Sequence, residues 1–343
     1  MRNESAVDHL RVAQFDAWDA ELDEALQALP GMDNASHELY RLVARNPSGT
    51  QKHFSLVSHD GEPVAIVGLR RRQRHWEQLG CGILPGTTIP VATGYEIPAM
   101  AASGLDIWMN LIDDEPAASS VQSLFSIPVC RMNCSDDAER YWHESGLWGM
   151  VKSARRTTKK YSVEVDAPGA AAWTVDQWAQ KWRTQETEIR GDLVVAAEYY
   201  QTHGRYHTFR LMLDGTPVAG NTFFVDNGRL IYQTTFFDDT YKRDGVGTRL
   251  LDFVFQWAAD AGYRQIDLGG GHEYKTMWAP ENGRIWSYNV CPKYVHLRRQ
   301  AVQFARRIGW RLASSGDRAA AQPASTSSAG ALAIALYSAQ ELL

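Results

Sequence analysis

Two short stretches in the second half of the chain carry residues whose types and spacing can do chemistry. In residues 242–247, two cations are followed by an acid and by glycines at positions 245 and 247. An apolar pattern with helical spacing begins directly behind this run. A helix N-terminus offers unpaired backbone N–H groups and the positive end of the helix dipole, and glycines let a phosphate approach the backbone closely. The run therefore predicts a phosphate-binding loop.

The second stretch, residues 272–275, combines groups that can move protons. His272 and Glu273 are candidates for a general base that takes a proton from a nucleophile. Tyr274 is a candidate acid for a leaving group, and Lys275 is a candidate to bind an anionic group. Structural alternatives stay open for all four: an exposed loop histidine, a carboxylate facing a helix dipole, a core tyrosine and a solvated lysine.

The residues around the first stretch predict the elements that would position it. Residues 229–237 are rich in β-branched and aromatic types and predict a strand. Apolar residues at helical spacing fill 246–261, and Gly262 follows as the residue that ends this helix. Residues 264–268 predict a short second strand. The Gly-x-Gly spacing lacks both the third glycine of a dinucleotide fingerprint and the Lys-Ser/Thr of a P-loop, so a plain strand-to-helix turn is the alternative interpretation.

The same order of elements occurs twice along the chain. In the first half, predicted helices at about 16–29 and 36–45 precede a hairpin with an Asp-Gly turn at 60–61. In the second half, two predicted helices precede an Asp-Gly turn at 214–215, an offset of 154 positions. The shared D-G-x-P-V-A sequence is either hairpin chemistry found twice or the mark of a repeat. Because the order around it also matches, we predict two copies of one fold.

Composition limits the classes of function. The 343 residues are enough for two domains, and 44% hydrophobic with 22% charged residues is typical of a globular protein. A net charge of -5 argues against nucleic acid or an anionic membrane as the main partner. The sequence shows no secretory signal and no apolar run long enough to span a bilayer, and its four cysteines form no CxxC. We therefore expect a cytoplasmic location, no membrane span and free cysteines.

The run K-R-D-G-V-G resembles the acyl-CoA loop of the GNAT acyltransferase superfamily, Gln/Arg-x-x-Gly-x-Gly/Ala, with Lys242 where Gln or Arg is usual. The following D-L-G-G-G at 267–271, then Tyr274-Lys275 and Trp278, resembles one branch of that superfamily. The branch comprises acyltransferases linked to cellulose and exopolysaccharide biosynthesis and, more distantly, the Fem-type aminoacyl transferases. The specific resemblance covers residues 206–288. Members of both groups commonly contain two GNAT-like halves, which agrees with the internal repeat.

This resemblance implies an α/β fold of tandem GNAT-like domains, each a mixed central sheet flanked by helices. We expect an N-terminal half at 1–150, a catalytic domain at 151–313, and a flexible linker with a short apolar C-terminal segment at 314–343. Val91 stands 154 positions before Gly245, and no basic Gly-x-Gly loop surrounds it. The first half is therefore expected to bind no acyl-CoA.

The resemblance also implies an activity, the transfer of an acyl group, acetyl above all, from acyl-CoA to an amine by direct attack. The expected acceptor is an amino sugar, an amino acid or a natural-product amine, and no metal is needed. The expected catalytic residues are His272, Glu273 and Tyr274, and the expected substrate-binding residues are Lys275, Trp278 and Trp182. The expected acyl-CoA contacts are Thr235, Phe236, Phe237, Lys242, Arg243, Asp244, Gly245, Val246, Gly247 and Thr248.

Two other functions remain as alternatives. A Fem-type transferase would take its aminoacyl group from tRNA, but the pI near 6.1 counts against tRNA as a partner. A non-catalytic protein with a degenerate GNAT fold would act as a binding scaffold. The glycines at 245 and 247 count against the scaffold, which has no need of them. Trp182 also has an alternative role, because tryptophans at helical spacing often pack in a core.

Overall fold

The computed structural model describes residues 9–29, 34–47, 50–72, 75–79, 89–105, 107–112, 121–134, 137–182, 190–270 and 273–290. The predicted C-terminal linker and apolar segment at 314–343 therefore lie outside the described residues. Within the described part, the strands form one mixed sheet and the helices pack against it. This confirms the predicted α/β class.

The first half supplies six strands and three helices in the described ranges. They are β1 (Leu10–Phe15), α1 (Ala20–Ala28), α2 (Asn34–Arg45), β2 (Lys52–His59), β3 (Glu62–Arg72), β4 (His75–Gln78), α3 (Glu96–Ala102), β5 (Ile107–Ile112) and β6 (Val121–Asn133). Helix α1 begins later than the apolar pattern indicated, because the Asp19 carboxylate accepts from the backbone N–H of Leu22 at 3.1 Å and caps the helix there.

The second half supplies the remaining strands and helices of the described chain. They are α4 (Ala138–Glu144), α5 (Trp148–Thr157), β7 (Ser162–Val165), α6 (Ala170–Trp182), α7 (Arg190–Thr202), β8 (Tyr206–Leu213), β9 (Thr216–Asp226), β10 (Arg229–Phe237), α8 (Val246–Asp260), β11 (Gln265–Gly270), α9 (Glu273–Trp278) and β12 (Glu281–Val290). A 3₁₀ helix, Asp239–Asp244, joins β10 to α8. The predicted strand–loop–helix–strand unit is thus confirmed, with the loop folded as a 3₁₀ turn.

The repeat predicted from the two Asp-Gly turns is confirmed in the backbone. Asp60 and Asp214 both take positive φ angles, 52° and 50°, as a two-residue hairpin turn of this type requires. A register shift follows at the same place in each hairpin, at 57/58 in β2 and at 211/212 in β8. Strands β4 and β10, which each pair in parallel with the next strand along the chain, begin at residues 75 and 229, again 154 positions apart.

The two halves share one continuous sheet, with strand order β1-β2-β3-β4-β5-β12-β6-β11-β10-β9-β8-β7. Strand β6, which comes early in the chain, lies between β12 and β11. Strand β12, from the end of the described chain, pairs with β5 of the first half. The halves therefore exchange strands at the centre of the sheet, a pairing that the sequence did not predict.

One described core cluster positions the region of the predicted loop. It packs the inner faces of α5 and α8 against β8, β9, β10 and β11. Val246, at the start of α8, is buried in it with 1% of its surface exposed. Burial of this apolar face fixes the end of α8 against the sheet, so the backbone at 245–248 has a defined place.

Candidate functional site

The run predicted as a phosphate loop is a short, ordered turn. The Asp238 carboxylate caps it by accepting from the backbone N–H of Thr240 at 2.8 Å. The turn ends at Gly245, which has φ of 72° and stands immediately before α8. No side-chain cap hydrogen bond is made at the start of α8, within the part of the chain that is described. The first backbone N–H groups of this helix are therefore available to an anion.

Helix α5 holds this turn from behind. The Thr157 hydroxyl donates to the backbone oxygen of Asp244 at 2.6 Å, and the Tyr161 hydroxyl, just beyond α5, donates to the Asp244 carboxylate at 2.7 Å. A Cβ atom on Gly245 would lie 3.1 Å from the Cβ of Ala154, so the turn touches α5 closely. The side chain of Asp244 is thus engaged in fixing the turn. These α5 contacts were not predicted from the sequence.

The charges around the turn are mostly positive and exposed. Lys242 and Arg243 lie in its last part with exposed side chains, and neither forms an ion pair with another described residue. Arg155 of α5 instead points inward and pairs with the fully buried Asp252 at 2.9 Å. Four further cations of α5 and the segment behind it are exposed: Lys152, Arg156, Lys159 and Lys160. Phosphate oxygens would find charge-assisted partners on this surface.

Strands β10 and β11 diverge beside the turn. They pair in parallel only at 229–231 of β10 with 265–267 of β11. Strand β10 continues to Phe237, with a register shift against β9 between Tyr232 and Thr234. Its edge toward β11 therefore has no strand partner beyond Ile231 among the described residues. An extended ligand chain can hydrogen-bond to this free backbone edge.

The end of β10 is held by a lysine. The Lys181 ammonium donates to the backbone oxygen of Phe237 at 2.6 Å and lies 3.5 Å from the centre of the Phe237 ring. Phe236 packs edge-on against Trp173 of α6 at 5.5 Å between ring centres. Both phenylalanines, predicted as acyl-CoA contacts, are thus fixed in place at the strand end that leads to the turn.

A polar network lines the point where the strands diverge. Asn221 of β9 accepts from the Thr235 hydroxyl at 2.9 Å and from the Tyr232 hydroxyl at 3.4 Å. Burial and the neighbouring Tyr274 raise the pKa of Tyr232. The pKa of Tyr274 is also raised, by burial above all, although 46% of this residue is exposed. Asn221 and Tyr232 carried no local motif, and only the paired strands bring them beside Tyr274.

Lys275 lies buried at the same point, at the end of β11. Only 9% of it is exposed, and its ammonium donates to the backbone oxygen of Gly270 at 3.3 Å. The ammonium also lies 6.0 Å from the centre of the Tyr232 ring. Burial lowers the pKa of Lys275, and the nearby carboxylate of Asp267 opposes this shift. The alternative of a solvated lysine does not fit this location.

The remaining predicted residues are placed differently. Trp278 is 5% exposed and packs edge-on against Trp142 at 5.8 Å, so its location favours core packing over contact with a substrate. His272 lies outside the described residues, and the side chains of Glu273 and Trp182 are not described. The described residues contain no group of three His, Cys, Asp or Glu side chains able to hold a metal ion. No described helix is long and apolar enough to cross a membrane.

The first half has a different connection at the equivalent place. In the second half, Asp238 donates its N–H to Val218 at 2.8 Å, and α8 begins at residue 246. In the first half, Ala92 makes the equivalent bond to Val64 at 2.8 Å, but α3 begins at residue 96. The chain there has no room for a turn like Asp239–Asp244, so a 3₁₀ turn precedes the helix in the second half but not at this place in the first.

A family model assigns the fold of this region. Residues 149–276 match the model described as "Acetyltransferase (GNAT) domain". The matched residues contain the turn, the diverging strands, Tyr274 and Lys275. None of the curated proteins matches the chain in sequence.

Several solved structures resemble the chain over most of its length. One is the C-terminal domain (DUF2156) of a putative lysylphosphatidylglycerol synthetase from Agrobacterium fabrum, with 14% identity and a TM-score of 0.48 over 82% of this chain and 95% of that chain. FemX has 11% identity and a TM-score of 0.43 over 83% and 99%. A tandem GNAT protein from the clavulanic acid biosynthesis pathway has 13% identity and a TM-score of 0.45 over 82% and 98%.

Proposed function

We propose that this protein is an acyl-CoA-dependent N-acyltransferase with one acyl-CoA site, in the second half of the chain. The observation that carries the proposal is the ordered turn before α8, beside a strand edge that diverges from its neighbour within a GNAT domain. The turn supplies backbone N–H groups and flanking cations for phosphates. The free edge of β10 supplies backbone groups for an extended chain that carries a thioester.

The acyl-CoA would lie along β10 with its phosphates at the turn. Backbone N–H groups of Val246, Gly247 and Thr248 would bind the pyrophosphate beside Gly245, whose own N–H donates to the Lys242 carbonyl at 3.1 Å. Lys242 and Arg243 would add charge-assisted contacts. Thr235, Phe236 and Phe237 would bind the pantetheine arm through the β11-facing strand edge. The thioester then lies where β10 and β11 separate, near the register shift at residues 232 and 234.

The reaction is direct attack of an amine on the thioester carbonyl. A base takes one proton from the acceptor ammonium, and His272 and Glu273 are the candidates. The amine forms the C–N bond, backbone N–H groups stabilise the oxyanion, and the C–S bond then breaks. Tyr274 gives a proton to the departing thiolate, and the proton that the nitrogen loses on becoming an amide restores the tyrosine phenol. The raised pKa of Tyr274 keeps its phenol protonated and able to donate.

Release of free thiol from acyl-CoA in the presence of amines tests this function. The panel crosses acetyl-CoA and longer acyl-CoAs with amino sugars, amino acids and other amines. We expect amine-dependent thiol release, and a loss of about 10²-fold or more in kcat for Tyr274→Phe. Tyr263→Phe is the matched control, because it removes a phenol that bonds to His207 at 2.8 Å outside the proposed site. Absence of thiol release with every pair in the panel would refute the proposal.

A further inference from the structure

A buried cation without a full set of partners lies where β10 and β11 separate. The Lys275 ammonium has three donors, and its hydrogen bond among the described residues is the 3.3 Å contact to the backbone oxygen of Gly270. A Cβ atom on Gly269 would lie 3.4 Å from this ammonium, so the glycine leaves room for the lysine head. A nine-tenths buried ammonium in this state is costly unless an anion compensates it.

The carboxylate of Asp267 compensates this ammonium only in part. Both oxygens of Asp267 are already bonded, one to the N–H of Gly269 at 2.8 Å and the other to the Arg131 guanidinium at 2.7 Å. Arg131 and Asp267 therefore form a pair of their own. The neighbouring Cys130 stays a neutral thiol, because burial raises its pKa. With Asp267 bonded to Arg131 and with Glu281 beside Cys130, the Lys275 ammonium has no carboxylate hydrogen-bonded to it among the described residues.

Lys275 is also far from the place proposed for the phosphates. Its ammonium lies beside Tyr232, whereas Phe237 ends the strand next to the turn, with its ring 3.9 Å from a Cβ placed on Gly247. Tyr232 and Phe237 are five residue steps apart in β10, which corresponds to about 17 Å along an extended strand. Lys275 therefore lies at the thioester end, where the acceptor arrives.

We propose that Lys275 pairs with a carboxylate of the acceptor, so that the preferred acceptors are amines that carry a carboxylate, as amino acids do. A carboxylate matches the single charge of this ammonium, whereas a phosphate would bring further negative charge and need more donors than one ammonium supplies. This inference rests on the proposed acyltransferase function and names the acceptor class of that same site.

The test compares acceptors that differ only in this group. Each amino acid is paired with its carboxamide, which keeps the amine, the side chain and the size but lacks the charge. With wild-type protein we expect kcat/KM to be about tenfold or more higher for the carboxylate member. For each member, kcat/KM is expressed per concentration of neutral amine at one pH, because the carboxamide amine is the weaker base.

Two variants assign the preference to Lys275. Lys275→Met should lower kcat/KM for the carboxylate member until the two members of each pair lie within about twofold, and Lys275→Arg should keep a preference for the carboxylate. Equal kcat/KM for both members with the wild-type protein overturns the inference but leaves the acyltransferase proposal intact. This comparison needs no variant. A preference kept in Lys275→Met also overturns it. No thiol release with any acceptor refutes the acyltransferase function itself.

Discussion

At the scale of single residues, the most informative group is the buried ammonium of Lys275. A buried ammonium that is only partly compensated reduces the stability of the empty protein. We therefore expect Lys275→Met to raise the free energy of unfolding by about 1 kcal/mol, as other substitutions that relieve strained functional sites do. Denaturant unfolding at neutral pH measures this effect. The exposed Lys159 is the control, since Lys159→Met should change stability very little.

The same group makes stability depend on pH with a defined sign. Burial lowers the pKa of Lys275 in the folded protein below its ordinary value of 10.5, so the unfolded chain binds more protons between the two values. Stability should rise with pH across that window, because the penalty present below the folded pKa is relieved. The Met variant should lose this contribution. A destabilised Met variant, or an unchanged slope, would show that Lys275 has a structural partner.

The sequence predicted part of the site at this scale, and the reason is local. Tyr274 and Lys275 follow a predicted strand in one short motif, so the sequence alone indicated that both lie near the end of that strand. Tyr232, Asn221 and Arg131 belong to three different strands and meet only through pairing. No spacing in the sequence predicts that these three residues lie near the same site. For the same reason Trp278, which looked like a substrate contact, is found against Trp142 in the core.

At the scale of elements, α5 determines the shape of the turn before α8. The Tyr161 hydroxyl donates to Asp244, which raises the pKa of Tyr161 together with burial, so the phenol stays protonated. Tyr161→Phe removes this bond, worth about 1 kcal/mol, and should weaken CoA binding about fivefold. The expected signature is a higher KM for acyl-CoA with nearly unchanged kcat, because Tyr161 does not contact the reacting atoms.

A tyrosine of the first half provides the control for this prediction. The hydroxyl of Tyr95 lies 3.1 Å from the imidazole of His59, so Tyr95→Phe also removes one partly buried hydrogen bond. It should leave the KM for acyl-CoA unchanged. Equal effects of the two substitutions would show that Tyr161 contributes only to general stability and not to the turn.

Hairpins and their turns were predictable because their signals are local. Asp-Gly at both turns requires positive φ, and both hairpins have it. The start of α1 was misjudged because the apolar pattern continues upstream of its cap, Asp19. The 3₁₀ turn was predicted as a loop. Nothing in residues 239–244 indicates that Thr157 and Tyr161 donate hydrogen bonds to Asp244.

At the scale of the whole molecule, the exchanged strands make the halves interdependent. Strand β6 lies between β11 and β12, so a fragment cut at residue 150 lacks the strand that pairs with both. We expect residues 151–313 alone to unfold at lower denaturant concentration than a fragment that begins at 121. Circular dichroism during denaturant unfolding measures the difference.

The outcome bears on the proposed domain boundary at residue 150. Equal midpoints for the two fragments would mean that β6 is dispensable and that residues 151–313 are an independent domain. The sequence could not predict this exchange, because the pairing of Tyr288 with Ser123 joins positions that are far apart in the chain. The repeated hairpins can be recognised in the sequence by their turns, whereas the order of strands at the centre of the sheet cannot.

Calorimetric titration with CoA and acetyl-CoA tests the central claim most directly, with three forms of the protein. Gly245 and Gly262 flank α8 with positive φ angles of 72° and 82°, so a tryptophan at either place strains the backbone similarly. We predict binding by wild type, binding by Gly262→Trp, and loss of binding in folded Gly245→Trp. No heat from wild type with either ligand, or unchanged affinity in Gly245→Trp, would contradict an acyl-CoA site at this turn.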